Sequence, residues 1–301
     1  MLDFDKTLIG SDDLPLFSRR ILFCTPRNYA AKLARLLVLR GARPVWMPTI
    51  VIEPLVDYRE LDLAIMNLAE YDWLAFTSRN GIEAFFDRLD ALGLDTGVFK
   101  KTKLAALGND GKALEDRGIR VACLPPEATT RGIVEELQRR GENHGRILLP
   151  VPVVRGMQEP DVIPNLVGWL REAGMDPHRV PAYTTRRVSD GLEAETRMII
   201  DGEVDLLAFT SVGEIESLLY VLGDRRDVLD RYTTACYGPM TAGGARQRGI
   251  HVDIVSPDNS AFEHYVEAME KYFRENRGPH RRQGRSGCIG TRSLPPRFRL
   301  T

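Results

Sequence analysis

The stretch Leu74-Ala75-Phe76-Thr77-Ser78 returns later in the chain as Leu207-Ala208-Phe209-Thr210-Ser211, an offset of 133 residues (211 − 78). Each copy follows an aspartate, Asp72 or Asp205, and precedes a segment with helical spacing of apolar residues. A short apolar run that opens into Thr-Ser and then a helix is typical of a buried strand whose carboxyl end starts the next helix. The stretch therefore predicts the same strand-to-helix unit in both halves of the chain.

The similarity between the two halves extends well beyond this stretch and keeps the same order. The further matched pairs are Arg20–Phe23 with Arg146–Leu149, Pro48 with Pro181, Leu104–Gly108 with Thr234–Gly238, and Arg117–Val121 with Arg248–Val252. The chain from about 20 to 272 is thus a duplicated unit, whose period is too long for a solenoid of roughly 20- to 50-residue repeats. Because strands and helices alternate within each unit, we expect an α/β fold with parallel sheets and right-handed crossovers.

Composition limits the classes of protein that this chain can belong to. With 301 residues, 43% hydrophobic and 28% charged, it is long enough for two globular domains. We expect no membrane segment, because no apolar run approaches the roughly 18 to 20 residues required, and the acidic start at residues 1–13 lacks a signal-peptide pattern. The four cysteines and five histidines are dispersed without metal-ligand spacing, so we expect no metal site.

Polar residues follow the predicted strands where parallel sheets bind ligands, at their carboxyl ends. Thr77, Ser78, Thr210 and Ser211 either cap their helices or hold an anionic ligand on the helix N-terminal amides, and the two roles are compatible. Gly238-Pro239-Met240-Thr241-Ala242 has the same character, since glycine allows close approach and proline starts a helix. Several arginines at element ends suit a polyanionic ligand or are solvated surface residues: Arg27, Arg79, Arg155, Arg186 and Arg187.

The sequence lacks the motifs of several other kinds of active site. No Gly-x-Gly-x-x-Gly follows a strand and no Gly-Lys-Ser/Thr loop occurs, which disfavours dinucleotide and P-loop chemistry. No serine lies in a nucleophile elbow, and no cysteine stands beside a histidine candidate.

Three segments resemble the uroporphyrinogen-III synthase family, and the resemblance covers roughly residues 20 to 272. Phe76–Phe85 is similar to the first signature of that family, Tyr237–Ala242 to the second, and Pro181–Thr185 to the segment that carries its tyrosine. The chain departs from the family pattern at Val212-Gly213, at Gly108-Asn109-Asp110-Gly111, and in a longer segment over Val151–Pro164.

The resemblance implies a particular architecture. It predicts two similar flavodoxin-like parallel-sheet domains joined by a two-stranded linker, with the second domain inserted in the first. One domain would combine residues 18–48 with 187–273, the other would span 57–178, and the linkers would be 49–56 and 179–186. Ile21–Cys24 should then pair with Leu206–Phe209 rather than with Trp73–Phe76.

The resemblance also implies an activity, a lyase step of porphyrin and heme biosynthesis. A cofactor-free enzyme would close hydroxymethylbilane to uroporphyrinogen III, inverting ring D through a spiro intermediate. It implies that Tyr183 assists departure of the hydroxyl, and that the substrate is bound by Thr77, Ser78, Asn80, Thr210, Ser211, Gly238, Pro239 and Thr241. We expect a monomer in the cytoplasm, or in the chloroplast if the source is a plant or alga. It should bind no nucleic acid or membrane, and it should make at most transient contact with the preceding pathway enzyme.

Two other functions remain compatible with these residues. The same scaffold could bind a tetrapyrrole or another polyanion without turnover, as a sensor or regulatory module. Flavin binding by a flavodoxin-like domain is a further alternative, although one flavin cradle would not explain two equivalent Thr-Ser sites.

Residues 277–301 carry seven arginines and no acid in a Gly- and Pro-rich context. Such a composition could touch RNA or a membrane surface, but it lacks the apolar residues needed to offset ordering entropy. We therefore predict that truncation after Asn276 leaves the melting temperature and the turnover unchanged. Thermal unfolding and an activity assay of the truncated chain check this, and a clear loss of either would show that the tail docks on the protein.

Overall fold

The structure is a computed structural model that describes residues 14–258 and 261–276. These residues form two five-stranded sheets, ordered β10-β9-β8-β1-β2 and β3-β7-β6-β4-β5. The strands are β1 (Arg20–Phe23), β2 (Arg43–Trp46), β3 (Ile50–Glu53), β4 (Trp73–Phe76), β5 (Lys103–Ala106), β6 (Arg146–Arg155), β7 (Asp176–Arg187), β8 (Leu206–Phe209), β9 (Thr233–Cys236) and β10 (Ile254–Val255). The predicted tail at 277–301 lies outside the described residues.

Ten α-helices are found in the described part of the chain. They are α1 (Arg27–Leu39), α2 (Arg59–Met66), α3 (Arg79–Ala91), α4 (Gly108–Glu115), α5 (Thr130–Arg139), α6 (Val162–Glu172), α7 (Glu193–Ile200), α8 (Val212–Leu222), α9 (Pro239–Gln247) and α10 (Phe262–Glu275). Among the described residues, no helix has the length and apolar character that a membrane crossing requires.

Strand pairing confirms the predicted α/β class with mainly parallel sheets. In the first sheet β1 is parallel to β8, with Ile21 opposite Leu206, whereas β4 lies in the second sheet. The predicted pairing of Ile21–Cys24 is therefore confirmed. The second sheet is also parallel except at its edge, where β3 runs antiparallel to β7.

The apolar runs that repeat in the sequence are central strands buried on both faces. All four residues of β4 and of β8 are buried. In β8, Leu207 and Phe209 belong to one hydrophobic cluster, and Leu206 and Ala208 belong to the cluster on the opposite face. A parallel strand covered on both sides reads as a continuous apolar run because neither face meets water.

The chain passes between the sheets near the antiparallel β3–β7 pair, where Ile50 lies opposite Arg187 and Glu53 opposite Thr184. Both strands overlap the predicted linkers at 49–56 and 179–186. An ion pair between Arg186 and Glu53, with 2.6 Å between Nη2 and Oε1, adds a side-chain contact to this pairing. The division of the chain into domains stays a prediction.

The aspartates that precede the repeated strands make the same contact in both sheets. The amide of Arg146 donates to Asp72 Oδ2 at 2.8 Å, and the amide of Arg20 donates to Asp205 Oδ2 at 2.7 Å. Each carboxylate thus fixes the start of the neighbouring central strand. The duplication repeats a specific backbone contact as well as an apolar pattern.

Gly145 makes room for the Asp72 carboxylate, and its replacement tests this contact. A Cβ at Gly145, whose φ is +81°, would lie 2.0 Å from Asp72 Oδ2. We predict that Gly145→Ala lowers the free energy of unfolding by about 3 kcal/mol, since strain and displacement of the carboxylate add. Gly141→Ala is the matched control, because φ is +67° there but no atom lies within 4 Å of the new Cβ. Gly141→Ala should lower the free energy of unfolding by about 1 kcal/mol. Equal losses for the two variants in urea denaturation would show that the contact between Gly145 and Asp72 is not important for stability.

Candidate active site

The carboxyl ends of the two parallel sheets meet through the helices that follow β1 and β4. Asn28 and Tyr29 lie in the first turn of α1, and Asn80 lies in the first turn of α3. Asn28 Nδ2 donates to Asn80 Oδ1 at 2.8 Å, and the Tyr29 hydroxyl donates to the same oxygen at 3.0 Å. The contact lies at the strand ends where open parallel sheets bind ligands.

A cleft of about 520 Å³ lies beside this contact, and Asn80 and Tyr183 line it. Its volume falls within the roughly 300–1,000 Å³ common for small-molecule sites. The wall also includes Arg27, Glu83 and Arg88, so it carries charges of both signs. Glu83 and Arg88 were not predicted as site residues, because in the sequence they look like ordinary positions on a helix surface.

A larger cavity of about 590 Å³ lies by the start of β5, lined among others by Lys100, Lys103 and Arg120. It contains none of the predicted site residues and lies at the amino end of its strand. Ligands of parallel sheets bind at the opposite, carboxyl ends. The smaller cleft is therefore the better candidate site.

Ser78 and Tyr183, which are both predicted to line one site, are brought together. Ser78 Oγ lies 3.1 Å from the Tyr183 hydroxyl oxygen and also accepts from the Gly81 amide at 3.2 Å, which caps α3. Burial raises the pKa of Tyr183, and the hydrogen bond to Ser78 opposes the rise. Tyr183 is thus a buried, neutral phenol that can donate a hydrogen bond, next to the capped N-terminus of α3.

Two of the predicted arginines are engaged by acidic partners. Arg79 Nε donates to Asp110 Oδ1 at 2.9 Å, and Arg186 pairs with Glu53. Asp110 belongs to the segment that departs from the family pattern, which forms the first turn of α4 and not a loop. Burial raises the pKa of the Asp110 carboxyl, although Arg79 favours its charged form. Arg27 lies over the Trp46 ring and lines the cleft, so it is the predicted arginine best placed for an anion.

The second Thr-Ser pair has a different environment from the first. The amide of Thr210 donates to Glu214 Oε2 at 2.7 Å, and the Thr210 hydroxyl donates to the other carboxylate oxygen. Ser211 Oγ accepts from the Glu214 amide at 3.3 Å, and Thr241 Oγ1 donates to the Thr210 carbonyl at 3.2 Å. Thr210, Ser211 and Thr241 therefore come together as predicted, but their polar groups bind one another and a buried glutamate.

Glu214 occupies the repeat position of Gly81, at the same 133-residue offset (214 − 81). The first Thr-Ser site carries no side chain at this position, whereas the second has its own carboxylate there. The two sites are not equivalent, and the expectation of two equivalent sites is wrong. The spacing Ser211-x-x-Glu214 matches a capping box, and this signal could have indicated the glutamate from the sequence.

Gly238 and Pro239 open α9 at the carboxyl end of β9, as the sequence predicts. The φ of Gly238 is +90°, a conformation that favours glycine. The Met157 sulfur, in the segment after β6, lies 3.6 Å from where a Cβ of Gly213 would be. This segment thus reaches the helix that follows the second Thr-Ser pair. Within residues 14–258 and 261–276, no group of three or more His, Cys, Asp or Glu could hold a metal ion.

Two mainly parallel sheets, with a polar cleft that is lined by Asn80 and Tyr183, define a two-sheet α/β protein with a small-molecule site. A family model described as uroporphyrinogen-III synthase HemD matches residues 31–266. The chain belongs to this family, and the resemblance seen in its motifs is confirmed.

Individual proteins agree with the family match. The chain is 30% identical over 242 residues to a porphyrin biosynthesis protein HemD of Ruminiclostridium josui, covering 78% of this chain and 45% of that protein. It is 27% identical over 244 residues to a uroporphyrinogen-III synthase of Chlorobaculum parvum, covering 79% and 92%. A mutant uroporphyrinogen III synthase from Thermus thermophilus has a similar fold, with a TM-score of 0.66 at 20% identity over 86% of this chain and all of that one.

The Glu214 carboxyl should make stability depend on pH. Burial raises its pKa from 4.5 to about 7 in the folded chain. Between these values the unfolded chain releases a proton that the folded chain keeps, so stability falls as pH rises through this window. We predict that the wild type loses about 2 to 3 kcal/mol relative to Glu214→Gln between about pH 5 and about pH 8.

Urea denaturation at the two pH values measures this difference. Glu267→Gln, at an exposed position of α10, is the matched control and should follow the wild-type curve. Parallel stability curves for wild type and Glu214→Gln would show that Glu214 titrates normally.

Proposed function

We propose that this chain is a uroporphyrinogen-III synthase that closes hydroxymethylbilane to uroporphyrinogen III with inversion of ring D. The observation that carries the proposal is the contact between Ser78 and Tyr183, a residue in the wall of the cleft, in a chain of this family. The uroporphyrinogen-III synthase named from C. parvum is covered over 92% of its length, which supports transfer of the activity.

In this reaction the main role of the protein is to position its substrate. Protonation of the departing hydroxyl releases water, and loss of the proton on the pyrrole nitrogen leaves an electrophilic azafulvene. The substituted carbon of ring D attacks it to form the spiro intermediate, which fragments and closes again with ring D inverted. Because the pyrroles supply the reactivity, a neutral phenol that donates a hydrogen bond to the departing hydroxyl is sufficient acid help.

Tyr183 is the residue we assign to this step. Its hydroxyl is buried at the side of the cleft and is held by Ser78 at 3.1 Å. Since burial raises its pKa, it stays protonated at neutral pH. A hydrogen bond that strengthens as charge develops on the leaving oxygen acts in the transition state and not in substrate binding.

The substrate carboxylates would be held on both sides of the cleft. On the α3 side, Thr77, Ser78 and the second amide hydrogen of Asn80 offer donors beside the helix N-terminus. On the other side, the binding groups would be the N-terminus of α9, which begins at Gly238 and Pro239 after β9, and the neighbouring Thr210, Ser211 and Thr241. Arg27 in the cleft wall adds a permanent positive charge.

The proposal extends to architecture and partners. The two sheets would be the cores of two flavodoxin-like domains, 18–48 with 187–273 and 57–178, with 49–56 and 179–186 as the linker strands. The enzyme would act as a monomer without a cofactor, in the cytoplasm, and would meet the preceding pathway enzyme only transiently.

One observation favours a second candidate, a tetrapyrrole- or polyanion-binding module without turnover. Glu214 already occupies the second Thr-Ser site, which would weaken the hold on a substrate carboxylate there. The two candidates differ in whether bound hydroxymethylbilane is converted.

An anaerobic turnover assay with separation of isomers distinguishes them. Closure without inversion gives the type I isomer, so an excess of type III over the protein-free reaction shows synthase activity. A chain that binds hydroxymethylbilane but leaves the isomer ratio of the protein-free reaction unchanged would be the binding module.

We predict that Tyr183→Phe lowers kcat by up to about 100-fold while KM stays nearly unchanged, because the hydroxyl acts in the transition state. Tyr272→Phe on α10 removes a hydroxyl that does not line the cleft and is the matched control. Steady-state kinetics with both variants decides the assignment. An unaltered kcat in Tyr183→Phe would remove Tyr183 from the chemistry.

A further inference from the structure

Dehydration of the substrate needs a proton acceptor in addition to the acid. As the hydroxyl departs, the pyrrole that bears the hydroxymethyl group must lose the proton on its nitrogen, because otherwise a cation and not a neutral azafulvene is formed. The hydroxyl oxygen and this nitrogen are separated by only two carbons in the substrate, so the acceptor has to lie in the same cleft as Tyr183. A phenol that is donating its own hydrogen cannot take this proton.

The described residues of the cleft wall include three carboxylates, and their environments differ. Glu53 is paired with Arg186, with 2.6 Å between Nη2 and Oε1. Asp87 is exposed to solvent on α3. Glu83 is half-buried, and it makes no hydrogen bond or ion pair in the part of the chain that the structure describes. Glu83 is therefore the wall carboxylate that is both shielded from solvent and able to accept a proton.

Glu83 lies on the side of α3 that faces the cleft, close to Tyr183. It is one helical turn after Asn80, the junction residue of α1 and α3, and both residues line the cleft together with Tyr183. Two residues before Glu83, a Cβ at Gly81 would lie 4.0 Å from Cε1 of the Tyr183 ring. Because a helix rises only about 1.5 Å per residue, the first two turns of α3 bring the phenol and this carboxylate to the same part of the wall.

We propose that Glu83 is a catalytic residue, the base that takes the proton from the pyrrole nitrogen while Tyr183 assists departure of the hydroxyl. The inference rests on the proposed function, since it concerns the same dehydration. In this step the carbon–oxygen bond breaks, the hydroxyl leaves as water with a proton from Tyr183, and the nitrogen proton passes to the Glu83 carboxylate. When ring D attacks, the nitrogen takes this proton back from Glu83, and the proton lost by the ring D nitrogen restores the phenol.

The surroundings of Glu83 favour this role. Its partial burial raises the pKa of the carboxyl above the usual 4.5, and a base with a higher pKa accepts a proton more readily. Two arginines oppose this rise in pKa and two aspartates add to it. The charged and titratable groups around Glu83, on α1, α3, α4 and the segment after α4, are Tyr29, Arg79, Asp87, Asp110 and Arg117.

The isosteric variant Glu83→Gln removes the base and keeps the shape of the side chain. We expect it to lower kcat for formation of the type III isomer about 10- to 100-fold, with KM nearly unchanged. This loss is near the lower end of what acid–base help contributes, because the pyrroles are reactive by themselves. Asp90→Asn is the matched control, since it makes the same change of charge at an exposed position of α3 outside the cleft wall, and it should keep the kcat of the wild type.

The pH dependence of kcat separates a base from a residue that only supports the structure. A base acts only when it is ionised, so the kcat of the wild type should fall as the pH is lowered through the pKa of Glu83, above the usual 4.5. The substrate carboxylates and the other acids of the cleft titrate alike in both proteins. Glu83→Gln should therefore lack the part of this fall that belongs to Glu83.

The remaining outcomes have separate meanings. An unaltered kcat in Glu83→Gln beside an active wild type would overturn the inference and leave the proposed function intact. A lower kcat with the pH profile of the wild type would overturn it as well, because Glu83 would then only support the structure. A change confined to KM would place Glu83 in substrate binding and would contradict its role as the base. Absence of turnover in the wild type would instead remove the proposed function, and this inference with it.

Discussion

The structure depends on one constraint, that two parallel sheets present their carboxyl ends to each other. Strand β1 leads into α1 and strand β4 into α3, and the first turns of these helices meet at Asn80, which accepts from Asn28 and Tyr29. The meeting requires the chain to pass between the sheets beside the antiparallel strands β3 and β7. It places helix N-termini, hydroxyls and a phenol around one cleft. Arg27, Asn28, Asn80 and Tyr183 offer hydrogen-bond donors to a ligand in this cleft, whose wall also carries the acidic residues Glu53, Glu83 and Asp87.

Both sheets contain the same duplicated strand-to-helix unit, but the Thr-Ser sites of the two copies differ at one position, Gly81 in the first and Glu214 in the second. The strands of the two copies begin in the same way, since Asp72 and Asp205 accept backbone amides at the start of equivalent strands. Both helices are capped by their serine, but the copies differ three residues later: Gly81 places no side chain at the first site, whereas Glu214 places a buried carboxyl group at the second. A carboxylate on helix amides satisfies the same donors that a ligand carboxylate would use. Binding of substrate anions should consequently fall mainly on the α3 side and on the start of α9.

Strand pairing, the burial of the repeated runs and the meeting of Ser78 with Tyr183 could be predicted, because local pattern and the rules of parallel sheets determine them. The partners of the charged side chains could not be predicted from the sequence. Arg79 pairs with Asp110 and does not line the cleft, since a contact across 31 residues depends on how the first turns of α3 and α4 lie relative to each other. Asn80 was predicted as a ligand-binding residue, but its role as the junction depends on α1, more than 50 residues away in sequence. Glu214 was predictable only in part. Its capping-box spacing could be read from the sequence, but its complete burial could not.

The most direct measurement of the central claim, unequal use of two duplicated sites, is amide chemical-shift mapping with the reaction product. A ¹⁵N-labelled chain would be titrated anaerobically with uroporphyrinogen III. The account predicts large shifts for the amides of residues 78–82, 238, 240 and 241. It predicts small shifts for residues 210–215, where the Thr210 amide already donates to Glu214 and the Glu214 amide to Ser211. Shifts of equal size at 78–82 and 210–215 would show that the product displaces Glu214 and uses both Thr-Ser sites alike, and that result would contradict the account.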